Sequence, residues 1–137
     1  MAQHRDYLKK EAEKIGEVLA RILAAILKQG DLTRANDVYN IVEQTFDTEL
    51  HLDIGELLQQ DDDTLVAVLT RRGFAEENIK ILADVFYGLA SLSTNDTHKA
   101  HLQRKALALY KHLAGANSKT VYFDIPARIK ELTEKEA

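Results

Sequence analysis

The stretch "EKIGEVLARILAAIL", residues 13–27, constrains the fold more than any other part of the chain. Ile15, Val18, Leu19, Ile22 and Ile26 recur at three- and four-residue spacing, which gathers them on one face of an α-helix and on no single face of a strand. Leu8 and Ala12 continue the row upstream, so a helix is predicted over residues 4–28, with Gly30 as its stop signal. Adding Leu23 and Leu27 widens the apolar arc to roughly 200°, at about 100° per residue. An arc that wide predicts a long first helix packed centrally, and it also offers a surface for a homodimer through this helix.

The same periodicity continues, with only one Pro and six Gly to interrupt it. A second helix is expected over residues 31–50, capped by Asp31, with Ala35, Val38, Tyr39, Val42 and Phe46 on one face. Asp53 and Glu56 form a capping-box-like pair at the start of "DIGELLQQ". "DDDTLVAVLTRRG" then reads as acidic start, apolar helix, basic last turn and a Gly73 stop, an order that matches the helix dipole. Further helices are expected over residues 75–92 and 96–114. A last one opens at Asp124 and Pro126. The residues in "TVYF" favour a strand, but a lone strand has no partner here, so helix or irregular chain is expected over 120–125.

The fold expected is all-α: a single domain over residues 1–137, a bundle of five to seven helices with antiparallel hairpins in its C-terminal half. Its core is predicted to contain Ile15, Leu19, Ile22, Ile26, Val42, Phe46, Leu65, Leu69, Ile79, Leu82, Phe86, Leu107 and Tyr110.

Charge is unevenly spread. Residues 1–30 carry six Lys/Arg against four Asp/Glu, residues 31–63 one against ten, and residues 64–137 eleven against eight, for a net −4. An acidic middle between basic flanks implies an electrostatic contact within the chain or with a partner. The chain has no Cys, so thiolate metal sites and thiol nucleophiles are excluded. Its three serines, Ser91, Ser93 and Ser118, lie in no G-x-S-x-G elbow, and there is no Gly-rich phosphate loop or H-E-x-x-H. "DTELHLDIGE" departs from the EF-hand pattern, because the sixth position counted from Asp47 is Leu52 rather than Gly. No catalytic residue, metal ligand or cofactor is therefore expected.

"MAQHRDYLKKEAEK" lacks the apolar stretch of a secretory signal, and "VLARILAAIL" is too short to span a membrane. A soluble, cytoplasmic protein without a membrane partner is expected.

The segment with most functional promise is "HKAHLQRKALALYKHL", residues 98–113. His98, His101, Lys105 and His112 fall within about 60° of one another on a helix, flanked by Arg104 and Lys111. No Asp or Glu occurs between residues 97 and 123, so a divalent cation there would face an ammonium without a carboxylate. The expectation is a partner-binding strip made of His98, His101, Arg104, Lys105, Lys111 and His112, docking an acidic protein segment. That segment could be the chain's own acidic middle. The strip is short and the chain is acidic, which argues against a nucleic-acid partner.

Within residues 77–115, "ENIKILADVFYGLA" places Leu82, Ala83 and Tyr87, and "KALALYKHLAG" places Ala106, Tyr110 and Leu113, in large, small and aromatic order. This resembles the two helices of a tetratricopeptide-type hairpin. Ala106 follows Ala83 by 23 positions, so the likeness is to a longer hairpin than that of the repeat of about 34 residues. The chain is also similar to small all-helical bacterial proteins without an assigned role. The resemblance implies a non-enzymatic interaction scaffold and carries over no ligand residue. The alternative is a small-ligand-binding or hydrolytic bundle that uses Asp, Glu and His in a cleft between helices.

Overall fold

The computed structural model describes residues 2–28, 35–116 and 120–136. The stop signal at Gly30, the cap at Asp31, the placement of the Ala35 side chain and Ser118 lie outside what is described. The described residues form seven α-helices and no strand: α1 (Ala2–Lys28), α2 (Ala35–Thr45), α3 (Ile54–Gln59), α4 (Asp62–Arg71), α5 (Glu76–Leu92), α6 (Asp96–Gly115) and α7 (Ile125–Glu136). A π-helical turn, Phe46–Leu50, extends α2 and ends at His51, which adopts the left-handed conformation.

Local signals set the helix ends. The Asp53 carboxylate accepts from the Glu56 backbone N–H at 3.2 Å, and the Asp61 carboxylate accepts from the Thr64 N–H at 2.8 Å. Each satisfies one of the backbone donors that a helix start leaves open. The Thr64 bond holds the Asp61 carboxyl below the usual carboxylate range. At the far end of α4, Gly73 takes a φ of 91° and the Phe74 N–H closes back on the Leu69 carbonyl at 3.0 Å. This is a Schellman arrangement, with buried Phe74 as its apolar contact. Residues 120–122 are irregular, and Val121 and Phe123 beside them are exposed.

All thirteen residues predicted for the core are buried. The centre of the bundle is nevertheless α5 rather than α1. On α5 only Glu77 and Ser91 are exposed, whereas α1 leaves Leu8 45% and Leu27 74% exposed. The arc on α1 is wider than the contact it makes. Burial of α5 on nearly every side follows from a helix whose apolar positions almost encircle it.

Register fixes how the others surround α5. Its Asn78 side chain donates to the Ala12 carbonyl at 3.1 Å, and Gly88 lies against Ile26, so α1 runs parallel to it. A Cβ at Gly88 would stand 2.8 Å from Ile26 Cγ2, and this closeness requires glycine there. Lys80 meets Asp124 and Tyr87 meets Glu131, both pairs 44 positions apart, so α7 is also parallel to α5. Helix α6 returns antiparallel after the short turn at Ser93–Asn95. None of the described helices is long and apolar enough to cross a membrane.

Candidate functional site

Helix α6 starts where the Asn95 side chain accepts from the His98 N–H at 3.0 Å. It buries Leu102, Ala106, Leu107, Leu109, Tyr110 and Leu113. That orientation divides the six residues of the predicted strip. His101, Arg104, Lys111 and His112 are exposed along one outward band, and none of their side chains forms a hydrogen bond or ion pair with another described residue. His98 and Lys105 lie at the edge of the band and turn inward.

The expectation that Lys105 faces outward is corrected: the residue is only 8% exposed. Its ammonium donates to the Gln60 carbonyl and lies 3.2 Å from Asp62 Oδ1. The physical reason is the gap it spans. Gln60 closes α3, where carbonyls lack intrahelical partners, and Asp62 opens α4. A cation suits the first and an acid suits the second. Part of the acidic middle is therefore met by α6 within the chain itself.

His98 is half-buried, with its ring edge-on to Tyr39 of α2 at 4.5 Å. Its Nε2 is buried without a hydrogen-bond partner among the described residues. Burial, and then the charge of His101, hold its pKa below the ordinary imidazole value, against an opposing pull from Glu43. In the unfolded chain His98 takes its proton near pH 6.5, the ordinary value, before the folded chain does. Stability is thus fully present above about pH 6.5 and is lost as pH falls from there toward the lowered folded value. Thermal melts between pH 7.5 and roughly 5 are expected to show a falling midpoint, with a shallower fall in His98→Leu.

A second polar cluster joins α5, α6 and α7. The Tyr110 hydroxyl donates to Asp84 Oδ1 at 2.5 Å, and Lys80 Nζ donates to Asp84 Oδ2 at 2.7 Å and to Asp124 Oδ2 at 3.1 Å. Burial by itself would lower the Lys80 pKa, but the two carboxylates outweigh it and raise it. Burial and the Asp84 bond push the Tyr110 phenol far above its ordinary range. Nearby, the Tyr87 hydroxyl donates to Glu131 at 2.5 Å, and the Arg128 guanidinium lies 3.7 Å above the Tyr87 ring. Both Asp84 oxygens are engaged and Tyr110 is held protonated, so neither is a free general base.

Beside this cluster a cleft of about 340 Å³ opens between α1, α5 and α7. Leu23, Ile26 and Leu27 form one wall, and Asp84, Tyr87 and Arg128 line the other. No family model, curated protein or solved structure matches the chain.

The cleft is lined by a carboxylate but by no histidine, so the Asp/Glu/His combination does not assemble there. Among the described residues no three His, Asp or Glu side chains come together as metal ligands. Glu43, Asp47 and Asp53 edge a separate open acidic groove. Sequence reasoning missed the Lys80–Asp84–Tyr110–Asp124 cluster. One signal was present in "KILADVFYGLA": an ammonium and a carboxylate at i,i+4 inside an otherwise apolar run.

Proposed function

We propose that this chain is a non-enzymatic helical interaction module whose contact face is the outward band of α6. One observation carries the reading: His101, Arg104, Lys111 and His112 stand exposed together without partners among the described residues. A row of cations and imidazoles without carboxylates suits an acidic protein segment, and complementary charge steers such an encounter. The exposed large apolar residues of α1 are Tyr7 and Leu8 near its start and Leu27 at its end, roughly 28 Å away along the helix. The exposed apolar groups of α1 are split between its two ends, which supports reading the contact face on α6.

The test is affinity capture with the wild-type chain and the Arg104→Glu/Lys111→Glu variant, with folding checked by circular dichroism. Lys105 is left intact because it braces the fold. Partners held by the band are expected to bind the variant about tenfold more weakly or worse, and to release at high salt. An identical set of partners at identical affinity removes α6 from the proposal.

A second reading, a small-ligand site in the cleft between α1, α5 and α7, is favoured by the Arg128 guanidinium on its wall. That residue forms no ion pair within the described residues.

A further inference from the structure

We propose that this cleft binds a small amphipathic monocarboxylate, a medium-chain fatty acid, with its carboxylate on Arg128 and its chain along Leu23, Ile26 and Leu27. The inference rests on the ligand-binding reading above and adds the class of ligand. Its volume, about 340 Å³, falls at the lower end of the roughly 300–1,000 Å³ range of small-molecule sites, which suits one short chain and not a folded partner.

The apolar wall exists because the arc on α1 is wider than its contact with α5. Leu27 is 74% exposed at the rim, while Ile26 is buried against Gly88. A hydrocarbon chain laid there covers surface that the bundle leaves in water.

The polar wall selects the head group. The Asp84 oxygens are taken by Tyr110 and Lys80, the Tyr87 hydroxyl is given to Glu131, and the Ser91 hydroxyl donates to the Tyr87 carbonyl at 3.2 Å. Glu131 is also paired with Lys135 at 3.5 Å. Arg128 is different. It lies 3.7 Å over the Tyr87 ring, hydrogen-bonds the Tyr87 side chain and acts on Glu131 through its charge, but among the described residues no carboxylate comes within ion-pair distance of it. A guanidinium carries five N–H donors in a fork that a carboxylate meets with two bonds. A cationic head group is repelled at this point, and a neutral one leaves the guanidinium without its match. Among the described residues that line the cleft, a head group with two negative charges finds one cation outside an ion pair.

The test is isothermal titration calorimetry of the full chain with octanoate and with octan-1-ol, using wild type, Arg128→Gln and Ser91→Phe. Ser91 is exposed at the cleft, so phenylalanine there fills the space without entering the core. Octanoate is expected to bind wild type at one saturable site, roughly tenfold more weakly to Arg128→Gln, and not measurably to Ser91→Phe. Octan-1-ol is expected to bind more weakly than octanoate and to ignore Arg128→Gln. Octanoate binding no better than octan-1-ol, or unchanged by Arg128→Gln, overturns the carboxylate assignment; the cleft reading then survives only if Ser91→Phe still abolishes binding. Failure of both ligands to bind, or binding that persists in Ser91→Phe, overturns both.

Discussion

Asp84→Ala is expected to destabilise the chain by about 2–4 kcal/mol in urea denaturation, with an unchanged slope. The carboxylate is the shared acceptor of two donors drawn from different parts of the fold: Tyr110 on α6 and Lys80 one turn earlier on α5. Removing it leaves the hydroxyl of a fully buried tyrosine with no acceptor, and a Lys80 side chain only 13% exposed with Asp124 as its remaining carboxylate partner. An unpaired buried donor costs the desolvation that its bond had offset. The effect belongs to the unpaired groups and not to a large net gain from the cluster. The triple change Lys80→Met, Asp84→Leu, Tyr110→Phe is therefore expected to recover most of the loss, since apolar residues of similar volume replace a buried ionic group with little penalty. A triple variant as unstable as Asp84→Ala would place the importance of the cluster elsewhere.

Phe86→Ala is expected to cost about 3–5 kcal/mol, measured in the same way. Phe86 is fully buried on the helix that the others surround. The space left by the ring should stay largely open, and cavity cost adds to the lost transfer energy. Phe86→Leu keeps most of the volume and is expected to cost less than half as much.

The helix ends were legible in the chain because their causes are local. Asp53 and Asp61 cap three residues downstream, and Gly73 supplies a positive φ that few other residues adopt. The core was legible because helical spacing needs only the pattern of apolar residues. The acid–lysine–tyrosine cluster was not, because Asp84 finds Tyr110 at a separation of 26 positions and Lys80 finds Asp124 at 44. Neither distance leaves a trace in periodicity. Lys105 was misplaced for a related reason. An angle on a helical wheel puts it in the basic strip, but its partner, the end of α3, is a tertiary neighbour 45 positions away. The π-helical turn at Phe46–Leu50 also escaped, since a single wider turn breaks a 3.6-residue period too briefly to be read. Of the candidate strip, the four outward residues were legible from the same wheel. The cleft at Arg128 was not, because it needs α1, α5 and α7 in register.

Both proposed surfaces depend on α5 standing at the centre, with α6 and α1 packed on it by their inner faces. Native-state hydrogen exchange of the free chain tests this most directly. The slowest amides are expected in the middle of α5, between Leu82 and Ala90, and in the facing part of α6 from Ala106 to Tyr110, with the first turns of α1 exchanging fastest among the long helices. Slowest exchange in α1 or α2, with α5 opening early, would contradict the architecture on which both proposals stand.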